Sequence, residues 1–169
     1  MNKFFYTVMT VLLSLFITGC DQAPKAPSGV AVGASLAPIS GGANLPKFSE
    51  WIAAKGVTIN AENETFVVDG NSTSAGYQIE SPLIAVKPGA DIIVRIDHTV
   101  ESGTVCPGVL TENSGAWIAP ASAMTKELRF NTGSNKGIVV VMANCNQPPQ
   151  ENTKSKFRLK SGVISFASK

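Results

Sequence analysis

The sequence predicts an all-β fold, a single antiparallel β-sandwich of the jelly-roll type, behind a signal peptide and a flexible tether. Short runs rich in β-branched and aromatic residues follow one another along the chain. Turn signals such as Asp69-Gly70-Asn71 and Lys87-Pro88-Gly89 separate these runs at fairly regular spacing. Within several runs apolar and polar residues alternate, which is the period of a strand with one buried face.

Residues 1–19 have the order of a secretory signal, with a basic start at Lys3, an apolar run over 4–17 and small residues before Cys20. The apolar run is shorter than the ~20 residues that a membrane-spanning helix needs. Ile17-Thr18-Gly19-Cys20 resembles the bacterial lipobox, whose cysteine becomes the first mature residue and is acylated. The resemblance implies a lipid on Cys20 that attaches the protein to a membrane. The alternative is an ordinary signal peptide beside which Cys20 is incidental.

The same resemblance indicates where the protein resides. A lipidated chain of this kind lies in the bacterial cell envelope. Asp21 resembles the signal that retains enterobacterial lipoproteins in the inner membrane. We therefore expect the periplasmic face of the inner membrane, with the outer membrane as the alternative.

Residues 20–44 are the predicted tether. They are rich in Ala, Pro, Gly and Ser, so they bury too little apolar surface to offset the entropy of ordering the chain. The remaining 125 residues (169 minus 44), 45–169, have the length of one domain. Strands are predicted over 57–60, 65–69, 77–86, 91–101, 104–111, 116–119, 126–131, 137–145 and 156–167. A short turn over 47–55 is the one helical segment that the sequence suggests.

Alternation is clearest in the strand predicted over 91–101. One parity is apolar and is assigned to the core: Ile92, Val94, Ile96 and Val100. The other parity is polar and is assigned to solvent: Arg95, Asp97, Thr99 and Glu101. By contrast, the run 138–143 is apolar at both parities, which predicts a central strand buried on both faces.

Two cysteines remain once Cys20 is assigned to the lipid. Cys106 and Cys145 are an even pair in an oxidising compartment, which predicts a disulfide between their strands. A metal or redox role is disfavoured because the pair is not a CxxC motif and His98 is the only histidine.

An aromatic stretch over 45–51 opens the domain, Ser81-Pro82 leads into Pro88-Gly89, and the late apolar strand ends near Asn144. These features resemble the galactose-binding-like jelly rolls, a group that includes many carbohydrate-binding modules. The resemblance implies a sandwich that binds a glycan. The domain over 45–169 departs from the group in its cysteine pair and in its sparse aromatic residues, which besides phenylalanines are Trp51, Tyr77 and Trp117.

No enzyme motif is present, since the sequence lacks a GxSxG elbow, a P-loop, HExxH and CxxC. His98 shares the parity of Ile96 and Val100, which favours a packed histidine over a catalytic one. Asp97 and Glu101 lie four residues apart, about 13 Å along a strand, which exceeds the ~5–10 Å between glycosidase carboxylates. We therefore expect a protein that is not an enzyme and holds no cofactor and no metal.

The charge balance produces no strong field that would point to an anionic partner. Removing Lys3 with the signal leaves 13 basic and 12 acidic residues, a net charge of about +1. Neither nucleic acid nor an acidic membrane surface is implied as a partner.

The candidate ligand-binding residues are polar side chains of the wet strand face and one ring: Arg95, Asp97, Thr99, Arg129 and Trp117. Two alternatives stay open, because facing charges also stabilise a sheet and a lone Trp can belong to a core. The leading hypothesis is a non-catalytic, lipid-anchored envelope module that binds a glycan or another cell-surface component. The alternative is a structural lipoprotein subunit of an envelope or secretion complex that docks a protein partner.

Overall fold

The computed structural model describes residues 42–72, 76–121, 125–146 and 153–167. The predicted signal peptide, Cys20 and most of the predicted tether lie outside the described residues. Within those four ranges, no helix is long and apolar enough to cross a membrane.

The described chain is built almost entirely from strands. In chain order they are β1 (Ala43–Asn44), β2 (Ile52–Ala53), β3 (Thr58–Glu62), β4 (Thr65–Asp69), β5 (Tyr77–Glu80), β6 (Ile84–Ala85), β7 (Asp91–Ser102), β8 (Val105–Thr111), β9 (Trp117–Ala119), β10 (Glu127–Asn131), β11 (Gly137–Asn144) and β12 (Lys156–Phe166). A 3-10 turn, Phe48–Glu50, precedes β2 where the sequence suggests a short helical turn.

The strands form two sheets. Sheet A has the order β10-β7-β12-β4-β3, with β1 also paired to β12. Sheet B has the order β2-β5-β11-β8-β9, with β6 also paired to β11. Every pairing between described strands is antiparallel. The predicted antiparallel β-sandwich is confirmed.

One core lies between the sheets, filled by alternate residues of their inner faces. Members that are at most 1% exposed include Ile92, Ile96, Phe157 and Leu159 from sheet A and Ile79, Ile138 and Met142 from sheet B. Burying each such side chain stabilises the fold by about 1.5–3 kcal/mol. All eight residues of β11 are buried, so the prediction of a central strand is confirmed.

The strand predicted over 77–86 is divided in the structure. β5 ends at Glu80 and β6 begins at Ile84, because Pro82 has no N–H to donate to the neighbouring strand. Ser81 keeps contact with β11, since its N–H donates to the carbonyl of Val140 at 2.8 Å.

The sheet begins earlier than the domain boundary expected at residue 45. Ala43 pairs with Ile164 and Asn44 with Val163, so the end of the range predicted as tether belongs to sheet A. The next residue, Leu45, is 6% exposed and donates its N–H to the carbonyl of Gly162 at 2.9 Å. A side chain at residue 162 would collide with Leu45, because a Cβ there would lie 2.7 Å from Cδ1.

The inward face of β7 ends sooner than the alternation predicts. His98 is buried as expected, and its Nδ1 lies 3.0 Å from the carbonyl oxygen of Ile96. Val100, which the alternation assigns to the core, is 38% exposed. It lies near the end of β7, where the register with β12 shifts at Phe157. Val100 still pairs with the buried Phe157 and keeps the inward parity, but it lies beyond the residues of β7 that belong to the core.

The predicted disulfide between Cys106 and Cys145 is confirmed, with Cα atoms 6.0 Å apart. Cys106 lies in β8 opposite Ala143 of β11, and Cys145 follows the end of β11. The bond therefore ties two neighbouring strands of sheet B together at one end.

Candidate functional site

The five residues proposed from the sequence lie on two opposite sides of the sandwich. Arg95, Asp97 and Thr99 are in β7 and Arg129 is in the adjacent β10, on the outer face of sheet A. Trp117 begins β9 at the edge of sheet B and packs against apolar residues of that sheet's outer face. The structure thus brings four candidates together and separates the fifth from them.

The charged candidates on sheet A form ion pairs with two adjacent residues, Lys126 and Glu127. Glu127 accepts hydrogen bonds from the Nε atoms of Arg95 at 2.6 Å and Arg129 at 2.5 Å. Lys126 donates to Asp97 at 2.9 Å. The bond from Arg95 holds the pKa of Glu127 below its ordinary value, and the bond from Lys126 lowers the pKa of Asp97. These carboxylates are ionised and already satisfied.

A second ion-pair network continues across the same face. Arg158 donates to Glu62 at 2.6 Å and to Glu101 at 2.5 Å, while Lys156 lies 3.6 Å from Glu101 and from Asp69. The hydrogen bond from Arg158 lowers the pKa of Glu101. Exposed ion pairs contribute little to stability, so this face is a solvated surface whose charges balance locally.

The outer face of sheet B is different, because its floor is apolar. Leu110, Val139, Val141 and Ala143 point outward from β8 and β11, yet each is at most 4% exposed. Tyr77 and Trp117 pack over them, together with Leu83 and Ala121. The outer face of sheet B is therefore covered by aromatic and apolar side chains, whereas the outer face of sheet A carries charged side chains.

The two rings meet although their strands are not neighbours. Tyr77 starts β5 and Trp117 starts β9, and β11 and β8 lie between them. The rings contact edge to face, with centroids 5.5 Å apart and planes at 89°. Gly108 in β8 leaves room for the indole, since a Cβ at that position would lie 2.6 Å from Cζ3 of Trp117.

A β-bulge places Tyr77 and Glu80 on the same outer face. Tyr77 pairs with Ala143, while Glu80 pairs with Val141, and the register shifts between them. The extra residue is Gln78, which is fully buried. A bulge reverses the alternation of a strand, so residues three apart come to share one side.

Gln78 is held by hydrogen bonds from two other segments. Its Oε1 accepts from the N–H of Asn71 at 2.8 Å and from the hydroxyl of Ser155 at 3.3 Å. Its Nε2 donates to Oδ1 of Asn71 at 3.1 Å. Buried amides require such partners, so the network fixes the bulge and with it the direction of Tyr77 and Glu80.

The polar groups of Tyr77 and Glu80 lack partners among the described residues. Glu80 is 8% exposed, and no described residue donates a hydrogen bond to its carboxylate or forms an ion pair with it. Burial raises the pKa of Glu80 above its ordinary value. Tyr77 is 7% exposed and its hydroxyl has no hydrogen-bond partner. Burial, helped by the charge of Glu80, raises the pKa of Tyr77 to about 12.

In sheet B, one residue of β11 lies between Glu80 and the glycine beneath the indole of Trp117. Val141 pairs with Glu80 on one side and with Gly108, beneath the indole, on the other. Since neighbouring strands are about 4.8 Å apart, the Cα atoms of Glu80 and Gly108 are separated by roughly 10 Å. We call Tyr77, Glu80 and Trp117 the ring–carboxylate site. Ile52, 43% exposed, borders it from the edge strand.

The spacing between Glu80 and Glu112 does not match that of a catalytic carboxylate pair. Glu112 lies beside Gly137, four residues along β11 from Val141. That spacing is about 13 Å, beyond the ~5–10 Å of glycosidase pairs. Among the described residues, no three His, Cys, Asp or Glu side chains are grouped as metal ligands would be.

Sequence reasoning named Trp117 but missed Glu80. Tyr77 was noted only as an aromatic residue. A usable signal existed, because β11 is apolar at both parities and a charged residue in a strand paired with it is therefore a candidate for burial. The bulge that joins Tyr77 to Glu80 has no comparable signal in the sequence.

No protein-family model matches this sequence, and no curated protein is significantly similar to it. A solved structure of the glycosylation-associated protein (Gap123) complex from Streptococcus agalactiae has a similar fold, with a TM-score of 0.51 and 10% identity. The match covers 76% of this chain and 46% of that chain, so this chain spans about half its length.

Two further solved structures have weaker likeness. Accessory secretory proteins 1, 2 and 3 of Streptococcus pneumoniae give a TM-score of 0.48 at 9% identity, covering 68% of this chain and 87% of that one. A structure described as CBM4 gives 0.49 at 8% identity, covering 66% and 79%. At these identities the likeness concerns the fold, and no ligand follows from it.

Proposed function

We propose that the protein is a non-catalytic, lipid-anchored binding module of the bacterial envelope that recognises a glycan through the ring–carboxylate site. One observation carries the proposal: the buried hydroxyl of Tyr77 and the carboxylate of Glu80, a residue only 8% exposed, have no partner among the described residues, and the Tyr77 ring contacts Trp117. Buried polar groups without partners are rare in folded proteins, and a bound ligand is one reason for keeping them.

A sugar matches the chemistry of this site. Its C–H faces pack on aromatic rings, and its hydroxyls both donate and accept hydrogen bonds. Glu80 needs a donor, and the hydroxyl of Tyr77 can take either role. Because the floor beneath the rings is already buried, the ligand would lie on the half-buried Trp117 and reach Glu80, which is 8% exposed.

The absence of catalysis is part of the proposal. Glu112 is about 13 Å further along β11, beyond the spacing at which it could form a glycosidase pair with Glu80. One buried carboxylate can orient a ligand, but it supplies no acid and base pair for hydrolysis.

The cellular setting rests on the sequence alone. A lipid on Cys20 would hold the module at the membrane, on the periplasmic face of the inner membrane if Asp21 acts as a retention signal. A flexible tether over 20–44 would span about 25–30 Å, which lets the sandwich stand clear of the lipid headgroups.

The test is cosedimentation of the soluble Cys20→Ser chain with purified cell-wall sacculi and with extracted surface polysaccharide. We expect Glu80→Gln to lose binding while Arg95→Ala and Asp97→Ala keep it. If Arg95→Ala and Asp97→Ala lose binding while Glu80→Gln keeps it, the binding surface is on sheet A instead. Failure of the unsubstituted chain to bind any envelope glycan would overturn the proposal.

A protein partner is the alternative, and Ile52 favours it. This large apolar side chain is 43% exposed on the two-residue edge strand β2, beside Glu80. Crosslinking in intact membranes that captures one envelope protein, and fails with Ile52→Ser, would support the docking role instead.

A further inference from the structure

We propose that the ring–carboxylate site prefers sugars that carry a protonated amine over uncharged or acidic sugars. This inference rests on the proposed function and names the class of glycan. Three features of the site lead to it: the unpaired carboxylate of Glu80, the ring faces of Tyr77 and Trp117, and the placement of the basic side chains elsewhere on the molecule.

The carboxylate of Glu80 sets the first requirement. It is 8% exposed, and no described residue supplies a cation or a hydrogen bond to it. A hydroxyl would satisfy its hydrogen-bonding capacity but would leave the buried charge uncompensated, which is costly. An ammonium group supplies both, and a charge-assisted hydrogen bond is about twice as strong as a neutral one.

The rings add a second attraction for the same group. The faces of Trp and Tyr attract cations within about 6 Å because their π electrons carry partial negative charge. Trp117 and Tyr77 stand at 89° to each other, 5.5 Å between centroids. Val141 pairs with Glu80 on one side and with Gly108, beneath the indole, on the other, so the carboxylate and the indole share one sheet face about 10 Å apart at the backbone.

The protein's three arginines do not compete for this position. Arg95, Arg129 and Arg158 are bound to carboxylates on the outer face of sheet A, on the far side of the sandwich. An acidic sugar would instead meet the charge of Glu80 with no described cation beside it to offset the repulsion.

Two oligosaccharides with one backbone provide the test. Chitosan oligomers carry free amines, and chitooligosaccharides of equal length carry N-acetyl groups at the same positions. By titration calorimetry at moderate ionic strength, the Cys20→Ser chain should bind the amine form about tenfold more tightly. Glu80→Gln should bring the ratio of the two affinities to about one.

Glu112→Gln is the matched control, because it makes the same change at an exposed carboxylate and should leave the ratio unchanged. Equal affinities in the unsubstituted chain, or tighter binding of the acetylated form, would overturn the inference while leaving glycan binding intact. The comparison of the two oligosaccharides uses the chain without a substitution at Glu80, so it does not require a variant at that position to fold. If envelope glycans are not bound at all, the proposed function itself fails.

Discussion

The hydroxyphenyl ring of Tyr77 contacts the indole of Trp117 edge to face across two intervening strands, with centroids 5.5 Å apart. The contact depends on a glycine, since Gly108 lies beneath the indole in β8. It also depends on a bulge at Gln78, which turns Tyr77 outward. The aromatic contact over the outer face of sheet B thus depends on the register of four strands, β5, β11, β8 and β9.

Gly108→Ala should displace the indole of Trp117. The added Cβ would lie 2.6 Å from Cζ3, so the ring or the backbone has to move. Forcing a methyl group into a packed position costs typically 1–3 kcal/mol, and we expect a loss of that size in the free energy of unfolding. Glycan binding should weaken as well.

Denaturant unfolding and tryptophan fluorescence would measure the effect of Gly108→Ala. Gly115→Ala is the control, because a Cβ there meets only the carbonyl of Asn113 at an ordinary 3.7 Å. Equal stability and equal emission in the two variants would show that the ring does not rest on Gly108.

Glu80→Gln should change how stability depends on pH. Burial raises the pKa of Glu80 in the folded state, so ionising it costs more there than in the unfolded chain. The native protein therefore loses stability as the pH rises from the ordinary carboxyl pKa through the raised one. Glutamine does not ionise, so the variant should gain stability relative to the native protein over that range.

Thermal melts across the acid range, with Glu112→Gln as the matched control, would test this. The gain should be missing at pH values where Glu80 is protonated in both states. A constant difference between Glu80→Gln and the native protein at every pH would contradict the buried, unpaired carboxylate.

Replacing both Cys106 and Cys145 with serine should destabilise the domain by about 4 kcal/mol. The disulfide closes a sequence separation of 39 residues, and in the chain-entropy model its loss frees the unfolded state accordingly. Denaturant titration of the double variant measures the loss. Native protein treated with reductant should behave like the variant, and free thiols in untreated protein would count against the bond.

The charges of sheet A should tolerate truncation. Arg95→Ala removes one of two partners of an exposed Glu127, and the pair is screened by solvent. The melting temperature should stay close to that of the native protein, in low and in high salt. Trp51→Ala offers the contrast, since that ring is 5% exposed and its loss should cost about 3–5 kcal/mol.

Cys20→Ser should release the protein from the membrane. The lipobox resemblance requires the thiol of Cys20 for acylation, and this residue lies outside the described residues. Metabolic labelling with palmitate and membrane fractionation provide the measurement. A variant that keeps the label and sediments with membranes would defeat the lipoprotein prediction.

Local patterns were enough to predict much of the fold. The alternation around Val94 and Ile96 assigned one face of β7 to the core, and the apolar run in β11 identified the central strand. The cysteine count predicted the pair Cys106 and Cys145. These predictions succeed because each depends on residues close in the chain, or on a cysteine count that leaves one possible pairing.

The sequence by itself therefore determined the sandwich, its central strand and its disulfide. Only the tertiary structure decided that the charges around Arg95 neutralise one another and that Tyr77 and Glu80 share a face with Trp117. The reason is register: the bulge at Gln78 depends on how β5 meets β11 and on hydrogen bonds from Asn71 and Ser155. Such pairing between distant segments leaves no period in the sequence.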